Sequence, residues 1–455
     1  MEKIVCIGGS TSGALFALHL FQEGFSGEVT LVDPRGDFGA AYCSHDPRHI
    51  LNVPAGNMGA FADDPLHFWK WAKKRLNDPH LSKEAFLPRH LFAEYLEELL
   101  HEAEVKYPLL RVRDEAVAMD REASGTTVHL RSGLHLKAEG VVLALGNFPP
   151  KPLFGANDPP LSKYAANPWE ENAFSGITTE DPVLFVGTGL TMVDGVLTLL
   201  GQGHKGPIFA LSRRGLLPLT RTFCSPLPMT LEDFPQKTVS SVMRVLRQKA
   251  REAADKQMPW DAVMDGVRPW VQALWQRFSL EEKRRFLRHA CPWWDIHRHR
   301  APSQSIEVVH EAMKRGQMQV MAGRLRSCLA QEDEDLVRVR WTPKGKERQE
   351  TLLVKKIINC TGPSGDYRII SHPLIKDLFQ KGLAAPHPLG LGFSATAQGE
   401  VLGTRGQPSE GLFALGPPLK GVLWEIIAVP DIRVLAQKLA MTLAASETSS
   451  LACRG

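Results

Sequence analysis

Apolar residues recur along this chain in short unbroken runs, each followed by glycines and then by a helical period. The first run, Ile4-Val5-Cys6-Ile7, meets Gly8-Gly9-Ser10-Thr11-Ser12-Gly13, and apolar positions at helical spacing continue through Leu20. The next run closes on Asp33, twenty positions beyond Gly13. The same order returns later. Val183 to Val186 lead into Gly187-Thr188-Gly189, a helical pattern runs from Leu190-Thr191 to Leu200, and a further apolar run closes on Ser212-Arg213-Arg214. Each copy predicts strand, glycine turn, helix and strand, a βαβ unit with its turn at the helix N-terminus. The segments downstream of the two units repeat as well: residues 126–130 and 134–136 flank Ser132-Gly133, and residues 336–341 and 350–354 flank Lys344-Gly345-Lys346, each pair predicting a hairpin. Both hairpins lead into an apolar run that ends in a glycine, Gly146 in the first half and Gly362 in the second.

Glycines in such a turn let the backbone approach a pyrophosphate, whose charge is stabilised by free N–H groups and the helix dipole. Two units imply two dinucleotides, and the residue closing each second strand separates them. Asp33 suits the hydroxyls of a ribose and repels a 2′-phosphate, which assigns FAD to Gly8, Gly9, Ser10, Ser12 and Gly13. Arg213 and Arg214 suit the 2′-phosphate of NADPH, which is assigned to Gly187, Gly189, Leu190, Thr191 and Ser212. Ser10 replaces the middle glycine of the first motif, and Met192 the third of the second. The fold class expected is α/β, two Rossmann-like dinucleotide-binding domains with a helical insertion.

The domains expected are a FAD domain in two parts, 1–165 and 355–455, around an NADPH domain at 178–354, joined by a linker at 147–180 rich in Pro and Asn. Residues 216–320 read as inserted helices, one with the stripe Val239, Val242, Met243, Leu246 and another opened by a Ser279/Glu282 capping box. In the first half, helices are expected from Asp64-Pro65 and after Pro88. The length of 455 residues fits this division. A net charge of +4 gives no reason to expect a nucleic-acid partner. No apolar run is long enough to span a membrane. A first strand at residue 4 leaves no room for a signal peptide, and the seven cysteines lack CxxC or metal-ligand spacing. The expected setting is therefore a reducing cytoplasm, with no metal and no redox disulfide.

The insertion holds five of the ten tryptophans and the stretch Trp293-Trp294-Asp295-Ile296-His297-Arg298-His299-Arg300. Read as extended chain, it puts His297 and His299 on one face and Arg298 and Arg300 on the other. It is then either a solvated basic strand or a cationic, tryptophan-lined wall for an anionic substrate or the NADPH phosphates.

The opening turn, Ala40-Ala41-Tyr42 through Asp46-Pro47, Leu51-Asn52-Val53-Pro54-Ala55 and Ala60 through Phe68 resemble those of bacterial FAD/NAD(P)-binding proteins. So do residues 187–194, the Trp294–Arg300 stretch and Ala414-Leu415-Gly416-Pro417-Pro418-Leu419-Lys420-Gly421. That family is related to the glutathione-reductase-type flavoproteins, class B flavin monooxygenases and N-hydroxylases. The resemblance implies bound FAD, a nicotinamide donor and a redox reaction, with Gly416 beside the flavin and Asn52, Pro54 and Asn57 either at the flavin or simply in a surface turn. Two departures stand out: Pro417 replaces the aspartate that follows this glycine in wider flavoproteins, and FxGxxxHxxxW is absent. A helix starting near Gly421 is expected to point its N-terminus at the flavin, with Trp424 and Glu425 in its first turn. Trp424 is then a site residue or simply a core aromatic.

The function expected is an NADPH-dependent FAD monooxygenase that hydroxylates a small metabolite with molecular oxygen through a flavin hydroperoxide, with His297, Trp294 and Trp424 as candidate catalytic residues. The alternatives are a reductase serving a quinone or protein acceptor, and a non-catalytic dinucleotide sensor or assembly factor. The oligomeric state is left open.

Overall fold

The computed structural model describes residues 1–122, 125–154, 159–160, 162–329 and 335–452. The first apolar run forms the strand Lys3–Ile7, which pairs in parallel with Glu28–Val32 on one side and Gly140–Leu143 on the other. Leu109–Val112 and Pro408–Ala414 extend this sheet in parallel, and Glu400–Leu402 closes one edge antiparallel. A central parallel strand is covered on both faces, which is why its apolar run is continuous rather than alternating. The helix Thr11–Gln22 is buried over nearly its whole length because the C-terminal helix Val429–Ala452 packs against it. Ala116–Glu122, Gly125–Leu130 and His135–Ala138 form a separate antiparallel sheet containing the first expected hairpin.

The second sheet repeats the plan. Val183–Val186 pairs in parallel with Ile208–Ser212 and with Lys356–Asn359, and Met318–Leu329 continues from the parallel sheet into the antiparallel hairpin Val337–Pro343/Glu350–Val354. Both sheets therefore run in the order return strand, first strand, second strand, third strand. Strand pairing shifts the expected boundaries. Lys356–Asn359, expected to open the second part of the FAD domain, lies in the second sheet, and so does Tyr164–Ala165, expected to close the first part. All four residues of Lys356–Asn359 are buried, so its backbone groups need a strand on either side. The chain crosses between halves further on, where Ser364 donates to Phe148 O at 3.3 Å. Of the expected linker, residues 155–158 and 161 lie outside the described residues.

The insertion is helical: Val239–Asp255, Asp261–Val267, Val271–Arg277, Leu280–Arg285 and Cys291–Arg298. It ends near residue 300 rather than 320, because Ser303–Lys314 packs Ile306, Val309 and Ala312 into the same core as Met192 and Val196 of the second-motif helix. Ser279 caps its helix by accepting from Glu282 N at 3.2 Å, but the Glu282 carboxylate turns instead to Val239 N at 2.7 Å. The helix expected from Asp64-Pro65 begins at His67, and the one after Pro88 spans Arg89–Lys106.

Two expectations are corrected. The 293–298 stretch is helical, not extended; a π-helical turn at Phe286–Ala290 precedes it and accommodates Pro292, which lacks the N–H an α-helix would use there. His297 and His299 therefore do not share a face. No helix starts at Gly421 either: residues 420–428 are turns, and the helix begins at Val429. Pro430 explains this, since it fits a first turn but would break a helix begun nine residues earlier. No helix among the described residues is long and apolar enough to cross a membrane. Among the same residues no group of three His, Cys, Asp or Glu could hold a metal ion, and the six described cysteines form no disulfide.

Candidate functional site

The two glycine turns are built alike. Gly8 has φ +108°, and a Cβ there would stand 2.1 Å from Ala144 O. Gly187 has φ +113°, and its Cβ would stand 2.1 Å from Cys360 O. Each glycine lets the first strand's end press against the return strand, so the helix N-terminus opens beside it. Gly13 plays a different part, since its Cβ would meet Gly8 O at 2.0 Å. In the second motif Met192 is fully buried in Gly13's place, and close helix-to-strand packing is supplied one turn on by Gly195, whose Cβ would meet the Phe185 ring at 2.5 Å. The motif register hid that glycine. Gly189 differs again: a Cβ there meets nothing within 4 Å, which leaves open space in front of the helix Leu190–Gly201.

Neither motif helix has a side-chain cap, so the first-turn N–H groups of Ser10–Gly13 and of Gly189–Thr191 are left for a ligand. Asp33 accepts from Gly9 N at 3.1 Å through Oδ2, and from Arg35 N and Gly36 N through Oδ1. It thus fixes the turn and keeps acceptor capacity on Oδ2 for a ribose hydroxyl. Ser12 faces Gly416, whose φ of +76° and ψ of −142° suit only glycine and whose Cβ would meet Ser12 Oγ at 2.6 Å. Gly146 and Gly362, at φ +66° and +86°, follow the two return strands and face open space. Pro54 is buried, Asn52 half-buried and Asn57 exposed, in a loop held by Leu51 N to Leu87 O and Ala55 N to Ala85 O.

At the second site Ser212 Oγ accepts from Gly215 N at 3.0 Å and lies 3.0 Å from the Thr188 hydroxyl. Arg213 is exposed, whereas Arg214 carries a buried Nη1 without a hydrogen-bond partner. An orphaned guanidinium nitrogen beside this turn fits a 2′-phosphate, so Arg214 rather than Arg213 is expected to set coenzyme choice. Arg214→Ala should raise the KM for NADPH at least tenfold and leave NADH kinetics nearly unchanged, since a charge-assisted hydrogen bond contributes about 1.5–3 kcal/mol. Equal loss with both coenzymes in steady-state assays would refute the phosphate role.

The insertion docks on the segment after Gly416. Trp275 Nε1 donates to Gly421 O at 2.9 Å, and the Trp275 and Trp424 rings stack at 4.8 Å. Trp424 completes the insertion's own core, whose small apolar cavity of about 40 Å³ is too small for a substrate. Glu425 follows, 4% exposed and with φ +71°, a strained backbone for a residue with a side chain. Its Oε1 accepts from Trp294 Nε1 at 2.7 Å, while Arg298 and His299 each lie 3.5 Å from Oε2. Burial alone would push this carboxyl up, but His299, Arg298 and the Trp294 hydrogen bond together hold it below the usual carboxylate range. His297 is elsewhere: its Nδ1 meets Trp293 O at 2.7 Å and its ring abuts Trp260 at 4.7 Å. The structure thus joins Trp294 to the Trp424–Glu425 segment and leaves His297 outside it. Sequence reasoning missed His299 as a partner of Glu425, for want of the helical turn that brings it round.

The fold and its two glycine turns define a two-dinucleotide flavoprotein architecture. Residues 5–148 match a family model described as FAD-NAD(P)-binding, so the chain carries that domain. Comparison with curated proteins finds no match. Among solved structures the chain is similar to the reduced ornithine hydroxylase of Pseudomonas aeruginosa, with 13% identity and a TM-score of 0.67 over 98% of this chain and 99% of that one. It is also similar to the ornithine N-hydroxylase of Kutzneria sp. 744, with 11% identity and a TM-score of 0.68 over 98% and 100%. L-lysine 6-monooxygenase from Pseudomonas syringae is a third, with 14% identity and 0.67 over 98% and 100%. At such identities the likeness is one of fold.

Proposed function

We propose that this chain is an FAD-dependent, NADPH-using monooxygenase that hydroxylates a small metabolite with molecular oxygen. The observation that carries the reading is the closure of the insertion over the segment after Gly416, through Trp275 to Gly421 O and Trp294 to Glu425. A reductase serving bulky acceptors has no use for such a cover, whereas an oxygenase must keep water from the reacting centre. The fold likeness to solved ornithine and lysine hydroxylases points the same way. FAD would lie on Gly8–Gly13, Asp33 and Gly416, and NADPH on Gly187–Thr191, Ser212 and Arg214. The flavin supplies acceptance of hydride from NADPH and, once reduced, reactivity toward oxygen. The chain's own residues bind both nucleotides, exclude water and hold Glu425 ionised beside the site.

The test is NADPH-driven oxygen uptake by the flavin-loaded protein with a pool of small metabolites, following hydrogen peroxide and oxygenated product separately. Substrate-coupled product formation is expected, and Trp294→Phe should divert most electrons to peroxide while flavin reduction continues, because the buried Glu425 loses a hydrogen-bond donor. Fast turnover with quinones together with negligible oxygen uptake would decide for a reductase, and failure to take up flavin for a sensor.

A further inference from the structure

Arg221 lies in the loop between the strand Ile208–Ser212 and the insertion, fixed by its own N–H to Ala301 O at 2.8 Å and by Ala301 N to Leu219 O at 2.9 Å. Its guanidinium is half-buried, its Nε is buried without a hydrogen-bond partner, and among the described residues it forms no ion pair. The arginines around it are engaged. Arg300 pairs with Asp261 and Asp265, Arg298 lies 3.5 Å from Glu425 and 3.7 Å from Asp431, and Arg268 lies 3.4 Å from Asp431. Arg433 donates to Asn57 O at 3.1 Å and Gly59 O at 2.8 Å, which ties the cluster to the loop after Asn52 and Pro54. Five guanidiniums thus surround four carboxylates, and among the described residues Arg221 and Arg433 are the two without an ion pair; Arg433 is met by two backbone carbonyls, which leaves Arg221 as the one with no oxygen partner. Burial, and then the charge of Arg300, bring its guanidinium down to about 10; Asp265 opposes this in part, and Arg268 and Arg298 add to the repulsion.

A partly buried cation with no carboxylate and only a ring face beside it is costly to hold, and an anion brought by a ligand offsets that cost. The coenzyme already has Arg214 at the end of its own strand. Arg221 instead faces the junction with the first half: it stands 5.8 Å over the ring of Phe223, which is 47% exposed and lies 5.7 Å from the Phe86 ring across the junction. A single positive surplus beside two aromatic rings fits one negative charge attached to an apolar body.

We propose that Arg221, backed by Arg268 and Arg298, docks the carboxylate of the small molecule that this enzyme hydroxylates, so that the substrate class is a monocarboxylate whose body lies along Phe223. The inference rests on the monooxygenase reading above and names the substrate class for that same site.

The experiment titrates the oxidised, flavin-loaded protein with matched pairs, butyrate against butyramide, L-ornithine against putrescine and L-lysine against cadaverine, following the flavin absorbance and the melting temperature. NADP⁺ affinity is measured in parallel on the same samples. At least one carboxylate should bind and raise the melting temperature while its uncharged or decarboxylated partner does not. Arg221→Gln should weaken that binding at least tenfold and leave NADP⁺ affinity within twofold. It should also melt no lower than the parent without ligand, since it removes an unpaired charge; a lower melting temperature would mean that Arg221 is a structural cation and would overturn the proposal. So would a loss of NADP⁺ affinity with carboxylate binding intact, which would assign the anion to a coenzyme phosphate. If no carboxylate binds although NADPH still reduces the flavin, the substrate class is wrong and the monooxygenase reading stands; if the protein takes up no flavin, that reading falls first.

Discussion

Gly187→Ala is expected to leave the protein yellow and to cut its reduction by NADPH at least a hundredfold. The new Cβ would stand 2.1 Å from Cys360 O, a backbone atom of the return strand, and φ at this position is +113°. No rotamer relieves a clash between backbone and Cβ, so the turn must shift and take the N-terminus of Leu190–Gly201 with it. Strain of this kind costs about 1–3 kcal/mol before displacement of the binding site is counted. The first half does not share that contact, and FAD should remain. Gly8→Ala is the mirror experiment: its Cβ meets Ala144 O at 2.1 Å, and the protein should purify colourless. Gly189→Ala separates ligand from fold, because its Cβ meets no protein atom within 4 Å. It should melt like the parent and still bind NADPH poorly, since in the proposed assignment the pyrophosphate takes that space. Anaerobic stopped-flow reduction together with flavin content distinguishes the three; a Gly187→Ala protein reduced at the parental rate would refute the assignment of the second motif.

Those turns are legible in the chain because each is a local pattern repeated at long range: apolar run, glycines, helical stripe, closing acid or base. Local signals also reveal the Ser279 cap and both hairpins. The features that stay hidden depend on partners distant in sequence or on short ambiguous stretches. Leu109–Val112 and Ala116–Glu122 are partly exposed edge elements with mixed patterns, and neither is expected from the sequence. The Trp293–Arg300 stretch alternates in a way that fits a strand, and only the preceding π-helical turn makes Pro292 compatible with a helix. Gly421 suggests too early a start for the C-terminal helix, and Pro430 is the residue that places it correctly. Arg221 cannot be singled out among 54 basic residues, since its lack of a partner is a property of packing and not of spacing.

Arg89→Met is expected to destabilise the protein by about 3–5 kcal/mol, the cost of leaving one member of a buried ion pair alone. Arg89 opens the helix Arg89–Lys106 in the first half, donates to Ile50 O at 3.0 Å, and pairs at 3.0 Å with Asp194 of the second-motif helix. His49 reinforces the junction, with its Nε2 within 3.0 Å of Asp194 O. Burial pushes the Asp194 carboxyl up, and Arg89 is the main group that opposes this. Without the arginine, the folded-state pKa rises further above the value of about 3.9 in the unfolded chain. A raised carboxyl favours folding while protonated, so the variant's deficit should be small below pH 4 and grow as pH climbs through the folded-state value, reaching its full size at neutrality. Thermal melts of variant and parent across that range measure the difference, which corresponds to roughly 6–20 °C at neutral pH for a domain of this size. Arg89→Met combined with Asp194→Leu should recover most of the loss, because two apolar side chains replace the pair without stranding a charge. A deficit that is flat with pH, or a double variant as unstable as the single, would show that Arg89 acts through Ile50 O and through the Trp169 ring, 5.6 Å from its guanidinium, rather than through Asp194. Because the pair links the loop bearing Asn52 and Pro54 to the second-motif helix, to which NADPH is assigned in the proposal above, the recovered double variant carries a further consequence. It should regain stability yet reduce its flavin more slowly than the parent, since the two halves have lost the ion pair that sets their relative position.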